Sequence, residues 1–180
     1  MIFFNKDNFT IRTMQENDID KILDNYREQR WEKPREVIES YFAKQNSKEL
    51  FMFIAEYQND AAGYTVLYPN AQYGPFANKN IPEISDLIVF MKYQRKGIGK
   101  LILDKAEKKA FALGGKVSLG VGLHNGYGPA QKIYIKRGYI PDGTGVWYNN
   151  APLEPYADCK NDDELILFLV KEPRANFAGI

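Results

Sequence analysis

Apolar positions along the chain recur with two periods, and the period changes mark the elements. Phe9 to Met14 alternates, with Phe9, Ile11 and Thr13 on one face, as a half-buried strand does. Glu16-Asn17-Asp18 then opens a helix in which Ile19, Ile22, Leu23 and Tyr26 share a face through about Arg30. Pro34 suits the first turn of a second helix with the stripe Val37, Ile38, Tyr41 and Phe42. Leu50–Tyr57 and Ala62–Tyr68 read as strands of an antiparallel hairpin around Gln58-Asn59-Asp60. Pro69 to Pro82 has no period and reads as a loop in which Gly74 is a hinge, and Tyr73 and Phe76 help to cover a pocket. Glu83 to Phe90 is a central strand, apolar at consecutive positions in its second half, as when both faces are covered.

A helix follows from Ile98 to about Leu113. Ile98, Leu101, Ile102, Ala106, Ala110 and Leu113 lie on one face, and Lys100, Asp104, Glu107 and Lys108 on the other. Gly114-Gly115 ends it. Val117, Leu119, Val121 and Leu123 alternate with small residues as a strand. A short helix follows Pro129, with Ala130, Ile133 and Tyr134 on one face and Gly138 as its stop. Tyr139-Ile140 and Val146-Trp147-Tyr148 flank the turn Pro141-Asp142-Gly143, and Leu165–Val170 is a last strand. The tail from residue 173 carries no pattern and reads as loose. With no internal repeat, the order predicts a single domain over residues 1–180, an α/β mixed sheet with helices on both faces.

Composition narrows the function. Lys+Arg total 24 and Asp+Glu 23, a net charge of +1, which argues against a general nucleic-acid binder. No apolar run reaches membrane-spanning length and the N-terminus has no signal-peptide core, so neither a membrane nor a secreted role is expected and a cytoplasmic location is. The single cysteine, Cys159, rules out an intrachain disulfide, and no His/Cys pattern suggests a metal.

Candidate chemistry sits where the central strand meets its helix. Gln94-Arg95-Lys96-Gly97-Ile98-Gly99-Lys100 joins two Cβ-free positions and three cations to a helix start. Helix N-terminal amides lack intrahelical partners and carry partial positive charge, so this turn reads as a pyrophosphate cradle; a solvated basic turn is the plainer alternative. It lacks the Gly-x-x-x-x-Gly-Lys-Ser/Thr pattern of a nucleotide-binding loop.

Gln94-Arg95-Lys96-Gly97-Ile98-Gly99 is similar to the Gln/Arg-x-x-Gly-x-Gly/Ala signature of the GNAT superfamily of acyl-CoA N-acyltransferases. Asn125, followed by Ala130-Gln131-Lys132-Ile133-Tyr134 and Gly138-Tyr139, resembles that family's second conserved segment. The resemblance covers about Ile81 to Asp142. It implies a GNAT-type mixed, mostly antiparallel sheet of about six to seven strands. It also implies acetyl-CoA as cosubstrate and direct acetyl transfer, in a ternary complex, to the amine of a small-molecule or peptide acceptor. Residue by residue, it puts the pyrophosphate on the turn from Gln94 to Lys100 and pairs the pantetheine arm with backbone of Leu87, Ile88 and Val89. An amide near Val89 would polarise the thioester carbonyl, and Asn125 would bind the arm. Tyr134 would protonate the leaving thiolate and Glu83 would take the amine's proton. The resemblance allows a homodimer; nothing in the residues selects one.

Plainer readings stand beside these. Tyr134 suits a core aromatic, Glu83 an exposed strand-end carboxylate, and Asn125 a turn or cap. His124 suits a neutral turn. Glu83 precedes Leu87 to Val89 by roughly 13–20 Å along a regular strand, so a water relay is expected if it is the base. Asp86 is the rival carboxylate, on the opposite face if alternation holds. A non-catalytic CoA-binding module is the second functional reading, and the acceptor is not legible.

Overall fold

A computed structural model of the chain describes residues 1–6 and 8–173. Most of the expected tail, from residue 174, lies outside the described residues. Packing divides the chain into two units. One comprises Met1–Pro69 and Ile84–Lys109; the other comprises Asn70–Glu83 and the chain from Ala110 onward.

In the first unit, β1 (Ile2–Lys6), β2 (Phe9–Arg12), β3 (Phe51–Tyr57) and β4 (Asp60–Tyr68) pair antiparallel in that order. Next to β4 runs β5 (Glu83–Val89), whose residues from Ile84 belong to this unit. Gly63 of β4 explains the close approach, because a Cβ there would meet the Ile88 carbonyl oxygen at 2.5 Å. Two helices, α1 (Asp18–Glu28) and α2 (Arg35–Asn46), cover one face. Ile19, Ile22, Leu23, Tyr26 and Ile38 pack with Met52, Ile54, Tyr64 and Val66. The alternate residues Phe51 and Phe53 point the other way, where the first part of α3 (Ile98–Gly114) lies and Lys109 sits 4.4 Å over the Phe51 ring. Layers on both faces explain why β4 is buried at every position from Ala61 to Leu67.

A buried ionic knot fixes the entry to α1. Arg12, 6% exposed, donates to both carboxylate oxygens of the fully buried Asp18 at 2.6 and 2.8 Å, and to Glu56 on β3. These two carboxylates, Asp18 foremost, raise the Arg12 guanidinium above its ordinary value against the cost of burial. The β3–β4 connection is a two-residue turn, Gln58-Asn59, with both residues left-handed at φ 49° and 70°.

In the second unit, β9 (Leu165–Lys171) lies between β6 (Val117–Gly122) and β7 (Ile140–Tyr148), antiparallel to both, and β8 (Ala151–Pro152) pairs with β7. Glu83, the first residue of β5, pairs parallel with Ser118 of β6. Ser118 holds the Pro82 carbonyl through both its N–H, at 2.8 Å, and its hydroxyl, at 3.0 Å. A short helix, α4 (Gly128–Lys136), follows a 3-10 turn over Asn125–Tyr127.

The described residues form nine strands rather than six to seven. β1 went unread because Ile2-Phe3-Phe4 is an apolar run without alternation, and β8 is only two residues long. The expected strand pair at 139–148 is one strand, β7, with irregular pairing between Pro141 and Val146. Gly74 is no hinge. Its amide donates to Asn150 at 2.7 Å, and a Cβ there would strike the Phe168 ring. Phe76 is buried with Ala71 and Phe168, so the segment is anchored rather than lid-like. On α3, Glu107 is buried while Leu113 is exposed, the reverse of the expected faces.

Candidate active site

Within the first unit β5 is an edge strand, flanked by β4 on one side only. A peptide-like arm can therefore pair along Leu87, Ile88 and Val89 as an added strand. The strand leads through a 3-10 turn at Met91–Tyr93 into the glycine-bearing turn. Arg95 and Gly97 are left-handed, at φ 62° and 78°, which folds the chain back sharply before α3. The first helical bond shown runs from Leu101 N–H to Gly97 C=O, at 3.2 Å, so the preceding amides lie upstream of the ladder.

Gly97 has open space where a Cβ would stand. Gln94, Arg95, Lys96, Gly97 and Lys100 are exposed, whereas Ile98 is buried and anchors the helix start. A helix N-terminus with an open glycine and neighbouring cations fits a pyrophosphate. The cations are not equivalent. Lys96 lies over the rings of Tyr57 and Tyr93, at 4.5 and 6.0 Å, and Gln94 donates its side-chain amide to the Val89 carbonyl at 3.0 Å. Gln94 thus ties the turn to the end of β5.

Asp86 departs from the expected strand. It is left-handed, φ 50°, so period-two alternation does not carry through it. Its Oδ2 accepts from Lys33 Nζ at 2.7 Å, Tyr64 OH at 2.9 Å and Tyr41 OH at 3.1 Å. The Tyr26 and Tyr64 hydroxyls are 2.9 Å apart. Burial and the Asp86 charge hold all three phenols above their ordinary values, so they remain donors.

Glu83, Asn125 and Tyr134 belong to the second unit. Burial pushes the Glu83 carboxyl up to about 7, partly offset by a hydrogen bond from the Gln72 backbone amide. That value suits a general base at neutral pH, and the plain exposed carboxylate does not describe it. Tyr134 is 6% exposed, and its ring meets Tyr139 edge-on at 5.7 Å. Burial, with Tyr127 adding to it, pushes its phenol up to about 12 and keeps it protonated at neutral pH. It shares no buried face with Ile133, which is 41% exposed. Asn125 is exposed in the 3-10 turn before α4. His124 caps that turn: its Nδ1 accepts from Gly126 N–H, which puts the ring proton on Nε2, 3.0 Å from Asp163. Cys159 is exposed. Among the described residues no cluster of His, Cys, Asp and Glu could hold a metal, and no helix is long and apolar enough to cross a membrane.

The model of the acetyltransferase (GNAT) family matches residues 17–139. The chain belongs to this family. Solved structures agree in fold. A GNAT family acetyltransferase from Elizabethkingia anophelis with acetyl-CoA bound is 24% identical, with 93% of this chain and all of that one covered, at a TM-score of 0.59. A ribosomal-protein-alanine N-acetyltransferase from Brucella melitensis is 17% identical, covering 91% and 99%, at 0.67. A spermidine N-acetyltransferase chimera involving Vibrio cholerae is 18% identical, covering 92% and 96%, at 0.62. No curated protein matches the sequence. Acetyl-CoA is the cosubstrate of this GNAT acetyltransferase family, and every residue singled out above, from Glu83 to Tyr134, falls inside the matched range.

The sequence reading passed over Lys33, Tyr26, Tyr41 and Tyr64. Tyr26 and Tyr41 were legible only as members of apolar stripes, and Tyr64 only as part of a strand. Their hydroxyls were the available signal, because a core needs no phenols unless they find partners.

Proposed function

We propose that the protein is an N-acetyltransferase that moves the acetyl group of acetyl-CoA directly onto a primary amine. The observation that carries this reading is the family match across residues 17–139, which includes Glu83, poised to exchange a proton near neutrality. The amides and cations of the turn from Gln94 to Lys100 hold the pyrophosphate. The backbone of Leu87 to Val89 pairs with the pantetheine arm, and an amide near Val89 stabilises negative charge on the carbonyl oxygen in the transition state. Asn125 binds the arm. Glu83 accepts the proton that the ammonium must lose before it can attack, directly or through water. The amine nitrogen bonds to the carbonyl carbon, the carbon–sulfur bond breaks, and the Tyr134 hydroxyl gives the leaving sulfur its proton. No acyl-enzyme is needed.

A CoA-release assay over a panel of amines, paired with acetyl-CoA titration calorimetry, tests the reading. Release with at least one amine, scaling with enzyme, is expected. Tight acetyl-CoA binding without release for any amine would instead make the protein a CoA-binding module. The single cysteine and the lack of a long apolar run support a cytoplasmic location, and the family context supports a homodimer.

A further inference from the structure

The proposed function leaves the acceptor open, and the cluster around Asp86 bears on it. Three tyrosines of the first unit, Tyr26, Tyr41 and Tyr64, lie close enough to this one carboxylate to feel its charge, and Tyr68 lies close enough to feel Tyr41. The ammonium already seated there is the protein's own. Lys33 Nζ lies 2.7 Å from Asp86 Oδ2 and 6.0 Å from the centre of the Tyr41 ring. A carboxylate with phenol rings around it is the chemistry that recognises an alkylammonium.

Lys33 is a replaceable occupant. It comes from residues 31–34, which have no regular structure between α1 and α2, and its side chain and that of Asp86 are 20% and 16% exposed. Water therefore reaches both ends of the pair, and a free ammonium can take the lysine's place without leaving the carboxylate unpaired. Asp86 itself is not free to turn away. Two tyrosines and its left-handed backbone fix the carboxylate in the strand that the proposed function assigns to the cosubstrate.

We propose that Asp86, Tyr41 and Tyr64 form a recognition box for one ammonium of an aliphatic diamine or polyamine acceptor, and that Lys33 occupies this box when the acceptor is absent. The proposal rests on the acetyl-transfer reading above. The need for a second amine follows from charge. An ammonium against a carboxylate is held in its charged form, and a charged amine cannot attack a thioester. The nitrogen in the box is therefore the anchor, and the nitrogen that receives the acetyl group is another on the same chain. Lys33 competes within the molecule, so if it leaves the box open roughly a tenth of the time it weakens apparent acceptor affinity about tenfold.

The box is tested first without turnover. In Lys33→Ala, and in Lys33→Gln should the alanine chain fold poorly, n-butylammonium should raise the melting temperature, and it should bind about tenfold more tightly than to the wild type. Butanol at the same concentration should do neither, and Lys33→Ala/Asp86→Asn should lose the response. No difference between butylammonium and butanol in either folded single variant overturns the box, whatever the transfer activity. In the transfer assay, 1,4-diaminobutane and spermidine should be acetylated, and butylamine should inhibit them competitively while serving poorly as an acceptor. Butylamine acetylated as well as diaminobutane would overturn the two-amine argument. Free lysine, whose carboxylate meets the same box, should be a poorer acceptor than diaminobutane; the reverse order would overturn the diamine assignment. Acetyl-CoA binding, measured separately, reports on the parent reading alone.

Discussion

Glu83 and Asp86 are three residues apart and have different surroundings. Glu83 loses solvent and gains one backbone hydrogen bond, which leaves it near 7. Asp86 gains an ammonium and two hydroxyls. The assignment of the base to Glu83 has two measurable consequences. The kcat/KM of the wild type should rise with pH through about 7, as Glu83 loses its proton. In Glu83→Gln turnover should fall most at low pH and recover partly at high pH, where free amine is more abundant. Stability has the opposite sign. A carboxyl whose folded pKa is raised binds its proton more tightly in the folded state, so its contribution is complete below about 4.5 and is lost as pH rises through about 7. Urea melts at pH 5 and pH 8 should differ less in Glu83→Gln than in the wild type. Tyr134→Phe keeps the packing against Tyr139 and removes only the hydroxyl. Where chemistry limits the rate, kcat should drop by about 10²–10⁴-fold with little change in acetyl-CoA affinity, measured by pre-steady-state release and calorimetry.

The elements that could be read from the sequence are those whose period survives folding. The stripe Ile19, Ile22, Leu23 and Tyr26 became the buried face of α1, and the alternating run from Phe9 became β2, with Ile11 fully buried. The setting of Asp86 escaped because a left-handed residue leaves no mark on a hydrophobic pattern. Its contact with Lys33 spans 53 residues and depends on tertiary packing. The turn from Gln94 to Lys100 was legible because glycines and cations at a helix start are a local signal. Gly99 would there meet only Val89 Cγ2, at 3.4 Å, were a Cβ added. Gly99→Glu should therefore fold, yet bring a carboxylate to the helix start and abolish acetyl-CoA binding in calorimetry. Unchanged affinity in the folded variant would move the pyrophosphate elsewhere.

At the scale of the molecule, the family match spans residues of both packing units, from Asn17 to Tyr139. A cosubstrate that binds only the folded chain stabilises it by mass action, by about 2.7 kcal/mol at a hundred times its dissociation constant. Thermal melts should rise with acetyl-CoA in the wild type and stay flat in Gly99→Glu. Both transitions should be followed, because two packing units need not melt together.

The hairpin turn between β3 and β4 offers an engineering handle. Gln58 and Asn59 are both left-handed, and neither is glycine. Side chains in that region carry a cost of order 1 kcal/mol, and Asn-Gly is the sequence that such two-residue turns favour. Lys21 Nζ donates to the Asn59 carbonyl at 2.8 Å, a bond that any residue at position 59 can accept. Gln58→Asn with Asn59→Gly should thus yield a more heat-resistant background, by about 2–4 °C per kcal/mol recovered. Variants that empty the Asp86 box or burden the glycine turn could then be built on it without falling below the threshold for folding.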